Sequence, residues 1–233
     1  MTDANDPANW PIISAKALCI GLDLGFAQDH SALIVGGVWH NGVRSVIGVR
    51  NIVQFPLGTP AEEVADTIAE LSRAYGSCRV IFDGSNNSAF ASILAARFPH
   101  NPANYLIAGV ITNAADHAAQ PTAFQVSLMG QRCVIPRWTL SKRELVESVS
   151  AEMDANTLKI SHTNGWEALK GELASMERTV RQSGSVSYSA PSGQHDDLVM
   201  ALALCLFGLR RVGSPARRQA TSQKKKFSNL AWC

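Results

Sequence analysis

Four carboxylates in this chain stand in unusual company. Asp23 lies within Cys19-Ile20-Gly21-Leu22-Asp23-Leu24-Gly25, a run otherwise made of apolar residues and Gly. Asp83 closes Arg79-Val80-Ile81-Phe82-Asp83, ahead of Gly84, and Asp196 and Asp197 open a long apolar stretch that ends at Leu209. Acids rarely neighbour core sequence, and a buried charge is costly unless a partner or a cation balances it. If the strands carrying Asp23 and Asp83 pair in parallel, both acids reach the carboxyl ends of their strands, where open α/β sheets build their sites. A final helix packed across the sheet then delivers Asp196 and Asp197 to the same point. Carboxylates gathered this way repel, and some stay protonated unless a cation neutralises them. An all-oxygen set suits Mg²⁺ or Mn²⁺. Two such ions about 3.5–4 Å apart polarise a phosphate and activate a water for in-line displacement. Ordinary readings exist as well. An Asp at a helix start is commonly an N-cap or a dipole partner, and an Asp before Gly commonly marks a turn. Asp23 has the weakest ordinary explanation, and the combination is more specific than any one member.

The elements that must position these acids follow from periodicity. Cys19–Gly25 reads as a buried strand, Ser31–Trp39 as a second and Val43–Phe55 as a third, with an Asn41-Gly42 turn signal between the last two. Thr59-Pro60-Ala61-Glu62 has the form of a capping box, and Val64, Ile68, Leu71 and Tyr75 then recur at helical spacing up to Gly76. Arg79–Asp83 is a fourth strand, Ser88–Phe98 a helix and Tyr105–Thr112 a fifth strand. Residues 113–138 read as an excursion, a hairpin with a strand at Arg132–Ile135 before Pro136. Ser141 caps a helix over Lys142–Met153, with Glu144 at the capping-box position. A short strand at Thr157–Ile160 follows, then helical spacing over Gly165–Val180, a short strand at Val186–Ser189 and a helix over His195–Leu209. That last helix is apolar nearly all round and is expected to be buried. A meander followed by α-linked strands predicts an α/β fold with a mixed sheet and helices on its faces.

Composition narrows the class. A chain of 233 residues, 46% hydrophobic, is long enough for one well-buried domain. No apolar run reaches the roughly 18 residues of a membrane span. Met1–Trp10 is polar and acidic, unlike a secretory signal. Five scattered cysteines (Cys19, Cys78, Cys133, Cys205, Cys233) include no close pair of the zinc or redox kind, and three of them sit in apolar runs. These features predict a cytoplasmic protein. The net charge of +2 hides an asymmetry: seven of the 21 basic residues follow Leu209, where no acid occurs, leaving 14 basic against 19 acidic residues before it. A basic tail on an acidic body points to a polyanion partner or to a solvated, solubilising tail.

The sequence also resembles a known family. The segments GLDLG at 21–25 with Asp29 following, VIFDG at 80–84 and GQHDDLVMALAL at 193–204 are similar to those of the nuclease domain of phage terminase large subunits. SKRELVESV at 141–149 and LKI at 158–160 fit the text between that family's fifth strand and final helix. The resemblance spans roughly residues 17–210, and HDDLVMALAL is its most specific part. It implies an RNase H-like fold with a mixed five-stranded central sheet (three antiparallel strands, then parallel ones) and helices on both faces, related to Holliday-junction resolvases. It divides the chain into an irregular leader at 1–17, a nuclease domain at 18–210 and a basic flexible tail at 211–233. It implies a metal-dependent endonuclease that cuts concatemeric double-stranded viral DNA with two divalent cations, Mg²⁺ or Mn²⁺. By position Asp23, Asp83 and Asp196 match the family's acidic triad, and Asp197 an adjacent acid able to join the second metal. His195 either orients a carboxylate or water or is a plain helix-start residue. Asp29 is an auxiliary candidate from the first loop.

Full terminase motors carry an ATPase with a G-x-x-x-x-G-K-[ST] loop, and this chain has none. The expected partners are therefore double-stranded DNA, a separate ATPase motor chain, a small terminase subunit and a portal, with no membrane. Arg132, Arg137, Lys142 and Arg143 are the candidate phosphate contacts, which position DNA without reading sequence, and the tail is another. A structure-selective resolvase and a non-catalytic packaging or adaptor subunit are the competing readings. An actin-like or sugar-kinase ATPase would need two repeated halves with phosphate loops, which are absent.

Overall fold

The computed structural model describes residues 6–212 apart from 26–28, 41, 77, 86–87, 99–104, 113–119, 129–130, 181, 183 and 185. The basic tail beyond Val212, with Phe227, Trp232 and Cys233, lies outside the described residues. Two short 3₁₀ turns, Pro7–Asn9 and Ile12–Ser14, precede the first strand.

The strands are β1 (Ala17–Asp23), β2 (Ala32–His40), β3 (Ser45–Gln54), β4 (Arg79–Asp83), β5 (Leu106–Thr112), β6 (Thr122–Leu128), β7 (Gln131–Ser141), β8 (Leu158–Ile160), β9 (Glu177–Val180) and β10 (Val186–Ser189). The helices are α1 (Ala61–Ala74), α2 (Ser88–Ala95), α3 (Lys142–Asp154), α4 (Trp166–Ser175) and α5 (Asp197–Val212). β1, β2 and β3 form the expected antiparallel meander. β4 then pairs parallel to β1, and β5 parallel to β4.

The five expected strands form the centre of a larger sheet. Its order is β6-β7-β5-β4-β1-β2-β3-β8, eight strands in all, and β9 and β10 form a separate pair. The excursion is a β6–β7 hairpin that joins the sheet along β5, and β8 adds to the opposite edge in parallel with β3. β7 runs through Pro136 instead of stopping there. Pro136 faces only β6, because pairing with β5 starts at Arg137, so the missing N–H falls where one side of the strand needs no donor.

Alternation along the central strands sorts the core into two layers. Ile20, Leu22, Leu33, Val35, Val80 and Phe82 face α1 and α2. Cys19, Ile34, Ile81 and Ile107 face α3, α4 and α5. α5 is buried all round, as its sequence requires, with Leu198, Leu202, Leu204 and Leu206 at 0% exposure. At about 1.5–3 kcal/mol for each buried aliphatic side chain, this helix is a main anchor of the fold. It lies against β1 so closely that a Cβ on Gly21 would sit 2.1 Å from Ala201 O and 2.4 Å from Cys205 N. Only glycine permits that approach.

Several element ends differ from expectation, each for a local reason. β1 ends at Asp23, which puts that acid at the end of the strand and not in its middle. The capping box at α1 does not form: Pro60 holds the N-cap position without a side-chain bond, and Thr59 Oγ1 donates to Pro56 O. The Ser141 cap does form, accepting from Glu144 N at 3.3 Å. α2 stops at Ala95, short of Phe98. α4 stops at Ser175, because Glu177–Val180, with its β-branched Thr179 and Val180, pairs antiparallel with Val186–Ser189. Cys19, Cys78, Cys133 and Cys205 are free and buried, and burial pushes the Cys78 thiol up to about 12. No helix among the described residues is long and apolar enough to cross a membrane.

Candidate metal centre

Parallel register brings the first two acids together. Leu22 pairs with Phe82, so Asp23 and Asp83, one residue on, end their strands side by side. Both follow the odd-numbered alternation of Cys19 and Ile81, which faces α5. α5 starts at this end of the sheet, so Asp23, Asp83, Asp196 and Asp197 all line one cleft of ≈ 450 Å³, together with Leu24, Gly25, Asp29, Lys142, Ser189, Ala190, Gln194 and His195. A Cβ on Gly25 would lie 2.3 Å from Asp29 O and 2.4 Å from His30 O. That close approach of Gly25 to the Asp29–His30 backbone accompanies the placement of Asp29 at the cleft.

Each acid is held differently. Asp83 Oδ1 accepts from Ser85 N at 2.8 Å and from Ser85 Oγ at 2.5 Å. The same hydroxyl accepts from Ile111 N at 2.9 Å, which ties Asp83 to β5. Asp196 Oδ2 accepts from Lys142 Nζ at 2.7 Å, with both side chains largely shielded. Lys142 opens α3 directly after β7, so the sheet itself places this cation. Asp197 is 8% exposed, and its Oδ2 is buried without a hydrogen-bond partner. His195 Nδ1 lies 3.8 Å from Asp197 Oδ2 and 3.8 Å from Asp29 Oδ1, beyond hydrogen-bond reach. His30 packs edge-on against His195 with ring centroids 5.7 Å apart. Its Nδ1 is 2.8 Å from Phe55 O; a carbonyl only accepts, so Nδ1 carries the proton.

The ordinary reading of Asp196 and Asp197 as helix caps is excluded by their neighbours. Asp196 occupies the N-cap position by its backbone, since Met200 N donates to Asp196 O at 2.8 Å. Its carboxylate does not cap. Leu198 N and Val199 N, the donors an N-cap side chain would take, donate instead to Glu172 Oε2 at 2.8 and 3.1 Å. Glu172 comes from α4, and α5 starts at Asp197 instead of the expected His195.

The electrostatics record crowding. Burial pushes the Asp23 carboxyl well above its ordinary range, and Asp83, Asp197 and Asp196 push it further; Lys142 opposes them. Burial also raises Asp197, with Asp29 and Asp196 adding to the shift and His195 and His30 opposing it. Glu172 is raised to about 7, first by burial and then by Asp197 and Asp196, against the bonds from Val199 and Leu198. Carboxylates raised by burial and by repulsion from neighbouring aspartates, and a buried oxygen with no donor, are the features that a divalent cation relieves. The donor set therefore fits hard cations such as Mg²⁺ or Mn²⁺. As the side chains lie, no three acids, histidines or cysteines among the described residues close around a single ion; Asp196 is engaged by Lys142 instead.

Of the four basic candidates only Lys142 lines the cleft. Arg137 Nε donates to Thr122 Oγ1 at 3.3 Å on the β6–β7 hairpin. Arg132 is exposed farther along the same hairpin, and Arg143 pairs with Glu147 at 2.9 Å on α3. Glu172, Ser85 and His30 escaped the sequence reading. Ser85 follows Asp83-Gly84, so a local bond to it was open to inference. Glu172 lies in an ordinary amphipathic helix, and only the packing of α4 against α5 shows its use.

A central mixed sheet with acids at the ends of two adjacent parallel strands, and a buried helix bringing two more, is the RNase H-like arrangement. No protein-family model matches this chain, and no curated protein sequence does. Solved structures do. The large terminase nuclease of thermophilic phage G20c aligns at a TM-score of 0.54 and 19% identity, covering 81% of this chain and 80% of that one. The human cytomegalovirus terminase nuclease domain aligns at 0.56 and 14%, covering 89% and 94%. The nuclease domain of the large terminase subunit gp2 of bacterial virus Sf6 aligns at 0.56 and 13%, covering 88% and 93%. Likenesses this distant establish the fold: the chain shares the RNase H-like fold of terminase nuclease domains. The G20c nuclease has been solved with bound magnesium and with bound cobalt, and the cytomegalovirus domain after soaking with manganese.

Proposed function

We propose that this protein is a metal-dependent DNA endonuclease of the terminase kind, with Asp23, Asp83, Asp196 and Asp197 holding two divalent cations, Mg²⁺ or Mn²⁺. The observation that carries the reading is the convergence of these four acids from three elements on one cleft, with Asp197 Oδ2 buried and unpartnered. The cations supply Lewis acidity toward the scissile phosphate and lower the pKa of the attacking water. The chain's own residues bind and orient. Ser85 fixes Asp83 through one carboxylate oxygen, which leaves the other for a cation. Lys142 provides positive charge inside an otherwise acidic cleft, where a phosphate would arrive. His195 and Asp29 flank Asp197 at the rim.

The substrate is double-stranded DNA, with an ATPase motor, a small terminase subunit and a portal as further partners. Supercoiled plasmid incubated with the purified chain tests the activity. Mg²⁺ or Mn²⁺ is expected to support nicking and linearisation, EDTA to stop it, and Asp23→Asn and Asp83→Asn each to abolish it in a folded protein. Plasmid left intact in both metals refutes the enzyme reading for this chain. Faster cutting of a four-way junction than of linear duplex would move the assignment to a resolvase.

A further inference from the structure

Glu172 points to a role that the four acids do not fill. Leu198 N and Val199 N are the second and third amides of α5, the two donors that the side chain of the N-cap residue normally satisfies. The N-cap residue is Asp196, yet Glu172 Oε2 accepts from both, at 2.8 and 3.1 Å. An exposed N-terminus could leave these amides to water. Here Leu198 and Val199 are 0% and 1% exposed, and a buried amide left unpaired is costly. Some acceptor oxygen has to serve them. Asp197 Oδ2, on the adjacent residue, is buried with no donor at all, and Asp196 turns toward Lys142 at 2.7 Å.

We infer that Glu172 is a positioning residue of the metal centre: by capping α5 from outside the helix it releases Asp196 and Asp197 to face the cleft. Without Glu172, one of the two aspartates folds back onto its own helix amides and is lost to the cation. The amide of a glutamine keeps the acceptor oxygen in place, so the cap depends on oxygen placement and not on charge. This inference rests on the metal-site reading above but not on the nuclease activity.

Mn²⁺ binding to the full chain tests it, measured by isothermal titration calorimetry well below each variant's unfolding midpoint. Glu172→Ala is expected to weaken Mn²⁺ affinity about 10–100-fold, the usual cost of losing a group that orients a ligand. Glu172→Gln is expected to stay within about threefold of the parent, because its amide oxygen accepts the same two bonds. A crystal structure of Glu172→Ala should show an Asp196 or Asp197 oxygen on Leu198 N or Val199 N. Parent-like Mn²⁺ affinity in Glu172→Ala overturns the inference, as does a Gln variant that binds as poorly as the Ala variant. A parent chain that binds Mn²⁺ but leaves DNA intact overturns the nuclease reading alone. A parent chain that binds no Mn²⁺ overturns both.

Discussion

At the scale of single residues the cleft is a set of groups held against their own electrostatics. Asp23, Asp197 and Glu172 all have carboxyls raised by burial and, further, by neighbouring aspartates. An acid raised on folding binds protons better folded than unfolded. Its contribution is full below the unfolded pKa and is lost as pH rises through the folded one. For Glu172 that window runs from 4.5 to about 7, and Asp23 and Asp197 act in the same direction from 3.8 upward. The metal-free protein should therefore melt at falling temperature as pH rises through this window, and Mn²⁺ should flatten the fall. Differential scanning fluorimetry in EDTA and in Mn²⁺ checks both; a midpoint that climbs with pH in EDTA contradicts the account. Ser85→Ala removes both the hydroxyl that fixes Asp83 and its link to Ile111 N. It is expected to cost about 10-fold or more in Mn²⁺ affinity with little change in stability.

Among the elements, α5 carries most of the design, and most of it was legible. Its apolar run announced burial, and the Asp196-Asp197 pair at its head announced a site. Its contact with β1 was not legible, because the need for Gly21 arises only when Ala201 O comes within 2.1 Å of the Cβ position. Gly21→Ala forces backbone against backbone, which cannot yield as a side chain end would. It should destabilise by about 1–3 kcal/mol or more, read as a lower urea midpoint with unchanged slope. Retained stability would mean that α5 lies farther from the sheet. Strand ends were read less well than strand cores. Asp23 looked central to its run, yet pairing ends there, and this is what leaves its carboxylate open to the cleft. The outer strands β6, β7 and β8 were missed as sheet members because edge pairing is set by tertiary register, which alternation within a short segment does not encode. The switch from α4 to β9 failed for a related reason: Glu177–Val180 becomes a strand only against Val186–Ser189.

The whole molecule combines an acidic body with basic groups that follow Leu209, and the proposed substrate is a polyanion. Binding of linear duplex should therefore fall steeply with salt, by about 0.9 in log–log slope for each phosphate neutralised. Truncation after Val212 removes Arg217, Arg218, Lys224, Lys225 and Lys226 and should flatten that slope; an unchanged slope would take the tail out of DNA binding. The fold shared with terminase nuclease domains was legible through the resemblance that three short acidic segments carry, although overall identity to the solved domains is only 13–19%. The supporting groups around them were not, since Glu172 and His30 act through contacts that no local pattern records.

The convergence of the four acids on divalent cations is tested most directly by Mn²⁺ anomalous scattering from a soaked crystal. The account predicts anomalous peaks in the cleft between Asp23, Asp83 and the Asp196–Asp197 pair, with Lys142 withdrawn from Asp196. Full-occupancy Mn²⁺ bound elsewhere, with this cleft empty and the Lys142–Asp196 pair intact, would contradict it.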